Sequence, residues 1–232
     1  MTNDKTPPAS TTVSAQYDEH GADYFSYQVA GARTAAQISI TRFEPYIGSG
    51  DRLVDFGCGT GWLLKLANAR EKLGIEPNPV ARQHASELGI DTVAGPAEVE
   101  DGWADVVISN HALEHSLSPY TELQELFRIV RPGGRLVLCL PLDDWRQKAQ
   151  RKVDGSDPNH HLFTWTPLLL TNLLQEVGFD VRSARAFTYL QPYYNEWLFP
   201  RLPRPAFDAL ARVFGSVKRY RQVFAVADRP RA

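Results

Sequence analysis

Three glycines fall within five residues, Gly57, Gly59 and Gly61, in the stretch VDFGCGTG. Asp55 stands just before them, and Glu76 ends the next apolar run, KLGIE. A glycine-rich turn lets backbone N–H groups approach a ligand closely. A dinucleotide would need G-x-G-x-x-G, yet the third glycine is at 61 and Trp62 takes the place required for tight packing. Asp55 would also repel a pyrophosphate, whereas it suits a ligand bearing cationic groups. Four of the six histidines come in two pairs, His111 with His115 and His160 with His161. Imidazoles at such places can serve as general bases or ligand contacts.

These residues need a scaffold, and the hydrophobic pattern supplies one. RLVDF (52–56), KLGIE (72–76), DTVAG (91–95), ADVVISN (104–110) and GRLVLCLP (134–141, opened by a Pro132-Gly133-Gly134 turn) read as buried strands. Helical stretches alternate with them: one after the glycines with Thr60 as its N-cap, PVARQHASELG, TELQELFRIV, and TPLLLTNLLQEVG capped by Thr166 and closed by Gly178. FDVRSARAF and RQVFAVADRP are the last strands. The expected fold is α/β: a doubly wound, seven-stranded Rossmann-like sheet, mostly parallel with the last strand antiparallel, and helices on both faces. In such a sheet the glycine loop, Glu76 and Asn110 all fall at strand carboxyl ends, where ligands bind.

The chain of 232 residues is 43% hydrophobic, enough for a core, and has a net charge of −2. That charge offers no general face for nucleic acid. Residues 201–232 nevertheless carry eight basic and two acidic side chains, which suits a solvated terminal helix and strand, a phosphate-bearing substrate or an anionic membrane surface. No apolar run is long enough to span a membrane, and the first residues do not look like a secretion signal. Cys58 and Cys139 therefore read as reduced thiols of a cytoplasmic protein. No Cys/His cluster has zinc-finger spacing; His160 and His161 with Asp157 form one conceivable ligand set, but no metal is expected. Residues 1–14 read as a disordered tail and 15–232 as a single domain, with N-terminal lid helices over 15–47 and substrate-side insertions around 143–166 and 188–217. The second insertion is aromatic and irregular in pattern. Its Tyr189, Tyr193, Tyr194, Trp197 and Phe199 suit a lid, a dimer interface, or contact with a sugar face or amphipathic lipid.

VDFGCGTG, GIEPNP, WADVVISNHALEH and RIVRPGGRLVLCLP, in this order, resemble the motifs of the class I S-adenosylmethionine-dependent methyltransferases. The resemblance implies that S-adenosyl-L-methionine is the cofactor and S-adenosyl-L-homocysteine the product. It implies that Asp55 accepts from the methionine amino group and that Gly57, Cys58, Gly59 and Gly61 lie against the methionine and ribose. Glu76 would take the ribose hydroxyls, and Pro77 would touch the adenine. Ala97 and Glu98 would lie near the adenine amino group, although Pro96-Ala97-Glu98 replaces the usual aspartate there. Asn110, His111 and Ala112 would border the methionine and the reacting methyl. Tyr17 and Tyr24 match a Y-x(6)-Y segment that folds over the cofactor in relatives. Read without the resemblance, Asp55 could be a turn-forming acid, Glu76 a surface residue, and the two tyrosines a packing pair.

The same resemblance narrows the chemistry. NHAL stands where amide and exocyclic-amine methyltransferases have [DN]-P-P-[YF], and neither cysteine precedes a proline directly as base C5 methylation requires. His111, His160 and His161 are the catalytic candidates, with His115 read as structural. The leading expectation is a small-molecule methyltransferase, most simply O-methylating a sugar, glycolipid or secondary metabolite. The alternatives are a quinone- or lipid-type C- or O-methyltransferase, and a non-catalytic cofactor-binding regulator or partner subunit. The acceptor would be phosphate-bearing or glycan- or lipid-linked, without nucleic acid, and with peripheral membrane contact open; the oligomeric state is not legible.

Overall fold

The computed structural model describes residues 31–144, 146, 149–151, 160–190 and 195–231. The tail 1–14, the first part of the lid segment with Tyr17 and Tyr24, and Asp157, Tyr193 and Tyr194 lie outside the described residues.

The elements follow the sequence pattern closely. Helix α1 (Ala32–Phe43) precedes β1 (Arg52–Phe56), α2 (Trp62–Leu66), β2 (Glu71–Ile75), α3 (Pro79–Glu87) and β3 (Asp91–Val93). Then come β4 (Ala104–Asn110), α4 (Pro119–Ile129), β5 (Val130–Leu142), α5 (Pro167–Val177) and β6 (Asp180–Thr188). A short α6 (Asn195–Leu198), α7 (Arg204–Lys218) and β7 (Arg221–Asp228) complete the order. The seven strands form one sheet in the order β3-β2-β1-β4-β5-β7-β6. Strands β1 to β5 pair in parallel, and β7 runs antiparallel to both β5 and β6.

Each face of the sheet carries a core. On one, Leu123 and Leu126 of α4 and Leu170 and Leu174 of α5 bury against Val54, Val107 and Leu138. On the other, Ile40 and Phe43 of α1, Leu64 of α2 and Ala85 of α3 bury against Leu53, Ile108 and Val137. Alternate side chains of β1 and β4 thus serve opposite faces, as a central strand of a doubly wound sheet requires. The switch in strand order lies between β1 and β4, so the loops after these two strands open a crevice.

Three local expectations are corrected. Thr60 caps no helix: α2 starts after Gly61, whose φ of 79° turns the chain, and it has no side-chain cap. The Pro132-Gly133-Gly134 turn does not precede β5 but lies inside it. Gly133 donates to Arg229 O, and Arg229 donates back to Gly134 O, so the ladder runs through the turn. The aromatic insertion is not irregular throughout, because the fifteen-residue α7 takes up its second half from Arg204 onward. Pro205 falls in the first turn, where a missing N–H costs nothing. Phe207, Ala211 and Gly215 recur every four residues and are buried. A Cβ on Gly215 would come within 3.0 Å of Leu190 N and Thr188 Cγ2, so the missing side chain lets α7 sit close to the end of β6.

Candidate functional site

The site is built on the two loops beside the strand switch. Gly57 turns the chain away from β1 with φ of 74°. Its N–H and that of Cys58 both donate to Ile75 O, which ties the loop to β2. A Cβ at Gly57 would collide with the Cβ of Ala112, so the loop after β1 and the loop after β4 touch only because residue 57 has no side chain. Gly61 has a different duty from the one expected: a Cβ there would lie 2.9 Å from Ala85 Cβ, so it packs α2 against α3 and does not line the crevice.

Two acids lie beneath this loop. Asp55 is 1% exposed, and neither carboxylate oxygen has a hydrogen-bond partner. Burial pushes its carboxyl well above the usual range, and the neighbouring Glu76 adds to the push. Glu76 is also raised by burial, against two backbone donors: Gly59 N–H at 2.8 Å and Asn78 N–H at 2.9 Å. The same burial, with the two acids behind it, raises the Cys58 thiol, which speaks against a nucleophilic cysteine. An unpaired buried carboxylate is costly, and a donor-bearing, cationic group would relieve it. The donor set therefore fits the cofactor expected from the sequence: a cationic amine at Asp55, and hydroxyls at Glu76, whose oxygens each retain an acceptor position.

Above the loop a cavity of about 440 Å³ opens. Gly57, Cys58, Gly59, Asn110 and His111 line its floor. Ala36, Ser39 and Arg42 of α1 wall one side; His115, His161, Tyr189, Tyr220 and Gln222 face it. Pro77, Ala97 and Glu98 are not on its walls. Glu98 is taken up locally, accepting from Ala94 N–H and Gly95 N–H, and Pro77 O accepts from Arg82. Ala112 abuts Gly57 without lining the cavity.

The histidines converge more than their sequence positions suggest. His111 has φ of 57° and holds Glu114 Oε1 at 3.2 Å through Nδ1. Burial opposes a charge on His111, but its bonds to Cys139 and Glu114 outweigh this and raise its pKa well above the ordinary value. Glu114 is fully buried; burial would raise it, yet His111 and His115 hold it below the usual carboxylate range. His161 Nδ1 lies 3.1 Å from Asp143 Oδ2, and its Nε2 lies 3.9 Å from Glu114 Oε1. Leu162 and Phe163 both direct their backbone N–H to Glu114 O, which pins the segment after β5 to the turn after β4. His160, with φ of 46°, stands next to this cluster in the chain but does not line the cavity. Sequence reasoning missed Glu114, Arg42, Tyr220 and Gln222. Glu114 has a signal only in hindsight, an acid between two histidines of one short segment; Tyr220 and Gln222 flank the start of a strand and have none.

A family model described as a methyltransferase domain matches residues 29–184, two thirds of the chain. A ubiquinone biosynthesis O-methyltransferase of Pectobacterium atrosepticum is 36% identical over 100 residues, 38% of this chain and 41% of that protein. The chain thus spans less than half the length of that curated relative. One of the same name from Roseobacter denitrificans is 28% identical over 193 residues, 72% of this chain and 73% of its own. The fold is shared with a phosphoethanolamine N-methyltransferase 2 of Haemonchus contortus solved with S-adenosyl-L-methionine, at TM-score 0.63 and 14% identity over 93% of this chain and 58% of that one.

Proposed function

We propose, because this chain belongs to the methyltransferase-domain family of class I S-adenosylmethionine-dependent enzymes, that it methylates a hydroxyl of a small-molecule acceptor. The observation that carries the reading is the unpaired, buried Asp55 carboxylate under a glycine loop that opens, with Asn110 and His111, into the 440 Å³ cavity. When bound, the cofactor supplies an electrophilic methyl carbon on a sulfonium. Asp55 would hold its amino group and Glu76 its ribose hydroxyls, while Gly57, Cys58, Gly59 and Asn110 would form the surface against it. The chain's contribution is alignment and exclusion of water. His111 stands at the cavity end of β4, where its bonds to Glu114 and Cys139 favour the protonated ring, so it positions the acceptor and leaves the hydroxyl proton to pass to solvent.

The names of the two relatives favour, within this reading, the quinone-type acceptor over a sugar or glycolipid. On helix α7, Val213 and Val217 are exposed beside Arg212 and Lys218. The same face suits peripheral contact with an anionic membrane surface. No helix among the described residues is long and apolar enough to cross a membrane, and a cytoplasmic location is part of this proposal.

The test is S-adenosylhomocysteine formation from S-adenosylmethionine with phenolic, quinol and sugar acceptors in separate reactions. Turnover with a phenolic or quinol acceptor is expected. Tight cofactor binding without turnover on any acceptor would leave the regulator reading in its place.

A further inference from the structure

Glu114, His115 and His161 each turn one ligand-type atom toward the others, all within 4.8 Å. In the sequence His161 stands with His160 and near Asp157, a conceivable ligand set, and no metal is expected there. The fold instead joins His161 to that turn through the paired N–H donations of Leu162 and Phe163 to Glu114 O. We propose that these three side chains bind a divalent cation at the wall of the reaction cavity.

Three independent features of the geometry support this. Glu114 is fully buried, yet its Oε2 has no hydrogen-bond partner, while Oε1 is held by His111. A buried carboxylate oxygen left in this way is costly, and a cation satisfies it. Second, His161 Nδ1 is held at 3.1 Å by Asp143 Oδ2, which orients Nε2 toward Glu114. A carboxylate on the far nitrogen is the usual support of a metal-binding imidazole, because it fixes the ring's direction and strengthens its donor atom. Third, the rings of His115 and His161 lie edge to face with centroids 5.2 Å apart, and one nitrogen of each lies within 4.8 Å of the other and of a Glu114 oxygen.

Ligand atoms about 2.0–2.2 Å from a first-row ion stand roughly 3–3.5 Å from one another. The present spacing, within 4.8 Å, must therefore close by about 1–2 Å when an ion enters. Two imidazoles and one carboxylate suit Mn²⁺, Co²⁺ or Zn²⁺ better than Mg²⁺ or Ca²⁺, which favour oxygen donors throughout. Three protein ligands leave coordination positions open, and His115 and His161 both line the cavity. An acceptor oxygen bound there would be fixed in place, and its hydroxyl proton would pass to solvent more readily. That use of the ion rests on the proposed O-methylation; the binding site itself does not.

The experiment is titration of the full chain with Co²⁺, read by its visible ligand-field bands, with Zn²⁺ as competitor, in the presence of S-adenosylhomocysteine. One-to-one Co²⁺ binding, displaced by Zn²⁺ and weakened at least tenfold in both His161→Ala and His115→Ala, is expected. Each variant is checked by circular dichroism and thermal melting, and Asp143→Asn is expected to weaken binding less than either. No saturable Co²⁺ binding, or binding equal in wild type and both histidine variants, overturns the proposal. Because no turnover is needed, the outcomes separate: Co²⁺ binding without methyl transfer refutes the O-methylation reading and keeps the site. Methyl transfer in EDTA by a chain that does not bind Co²⁺ refutes the site and keeps the reading.

Discussion

Gly59, in the loop after β1, donates its backbone N–H at 2.8 Å to the carboxylate of Glu76 at the end of β2. The other oxygen of that carboxylate accepts from Asn78 N–H at 2.9 Å, so one side chain fixes two loops. Glu76→Gln places an amide N–H₂ against one of these donors. We expect it to destabilise the fold by about 1–3 kcal/mol and to weaken S-adenosylhomocysteine binding by a similar amount. Urea unfolding and calorimetric titration measure the two effects. An unaltered affinity would remove Glu76 from the ligand site.

Asp55 ties stability to pH in an unusual direction. Its folded pKa is raised by burial and by Glu76, so between the ordinary carboxyl range and that raised value the folded chain holds a proton the unfolded chain has lost. The stability it contributes is complete below the ordinary range and fades as pH rises through the raised value. The melting temperature of the ligand-free protein should therefore fall across that window, with a shallower slope in Asp55→Asn. Cofactor binding opposes the trend, since an ammonium favours the ionised carboxylate, and affinity for S-adenosylhomocysteine should rise with pH in the wild type. A pH-independent affinity would detach Asp55 from the amino group.

The contact between residue 57 and Ala112 can be probed as a pair. Gly57→Ala puts a Cβ onto Ala112 and a side chain at a positive φ. The left-handed backbone costs about 1–2 kcal/mol and the overpacking about 1–3 kcal/mol. Adding Ala112→Gly removes the clash but not the backbone strain, so the double variant should recover part of the loss. Equal destabilisation in the single and double variants would mean that the two loops do not meet there.

Asp228 links the last strand to its neighbours through Arg135 at 2.7 Å and Arg182 at 2.8 Å. Burial works to raise its carboxyl, but the two guanidinium groups outweigh burial and hold it below the ordinary value. Its contribution is present above the ordinary carboxyl range and is lost as pH falls through the depressed folded value. Asp228→Asn should cost on the order of 1 kcal/mol at neutral pH, since both arginines are partly solvated. The difference from wild type should vanish in acid and shrink in high salt; a gap that persists in acid would point to packing instead.

The sheet was legible because buried parallel strands read as short apolar runs between turn residues, and the loop glycines announced themselves by spacing. Helix α7 was not, because its buried face is only Phe207, Ala211 and Gly215, set among prolines and exposed valines that mask the period. Asp55 could be singled out from its place before the glycines, but not its lack of partners, which follows from how deeply the loop covers it. Glu114 and His161 are distant in sequence and meet only through backbone pairing, so no spacing rule joins them. Gly61 looked like part of the ligand loop because a glycine needed for helix packing and one needed for ligand approach are identical in one dimension.

The place of β7 between β5 and β6 has a bearing on how the chain is made. A ribosome delivers β5, then β6, and only afterwards the strand that must lie between them. Until residues 221–228 emerge, β6 has no sheet neighbour, and β5 lacks the antiparallel partner that pairs with it from Arg135 to Leu142. A nascent chain halted before Arg221 would therefore present an open strand edge to chaperones or to other nascent chains. The final strand acts as a keystone, and Tyr220 and Gln222 at its start reach the cavity wall only once it is seated.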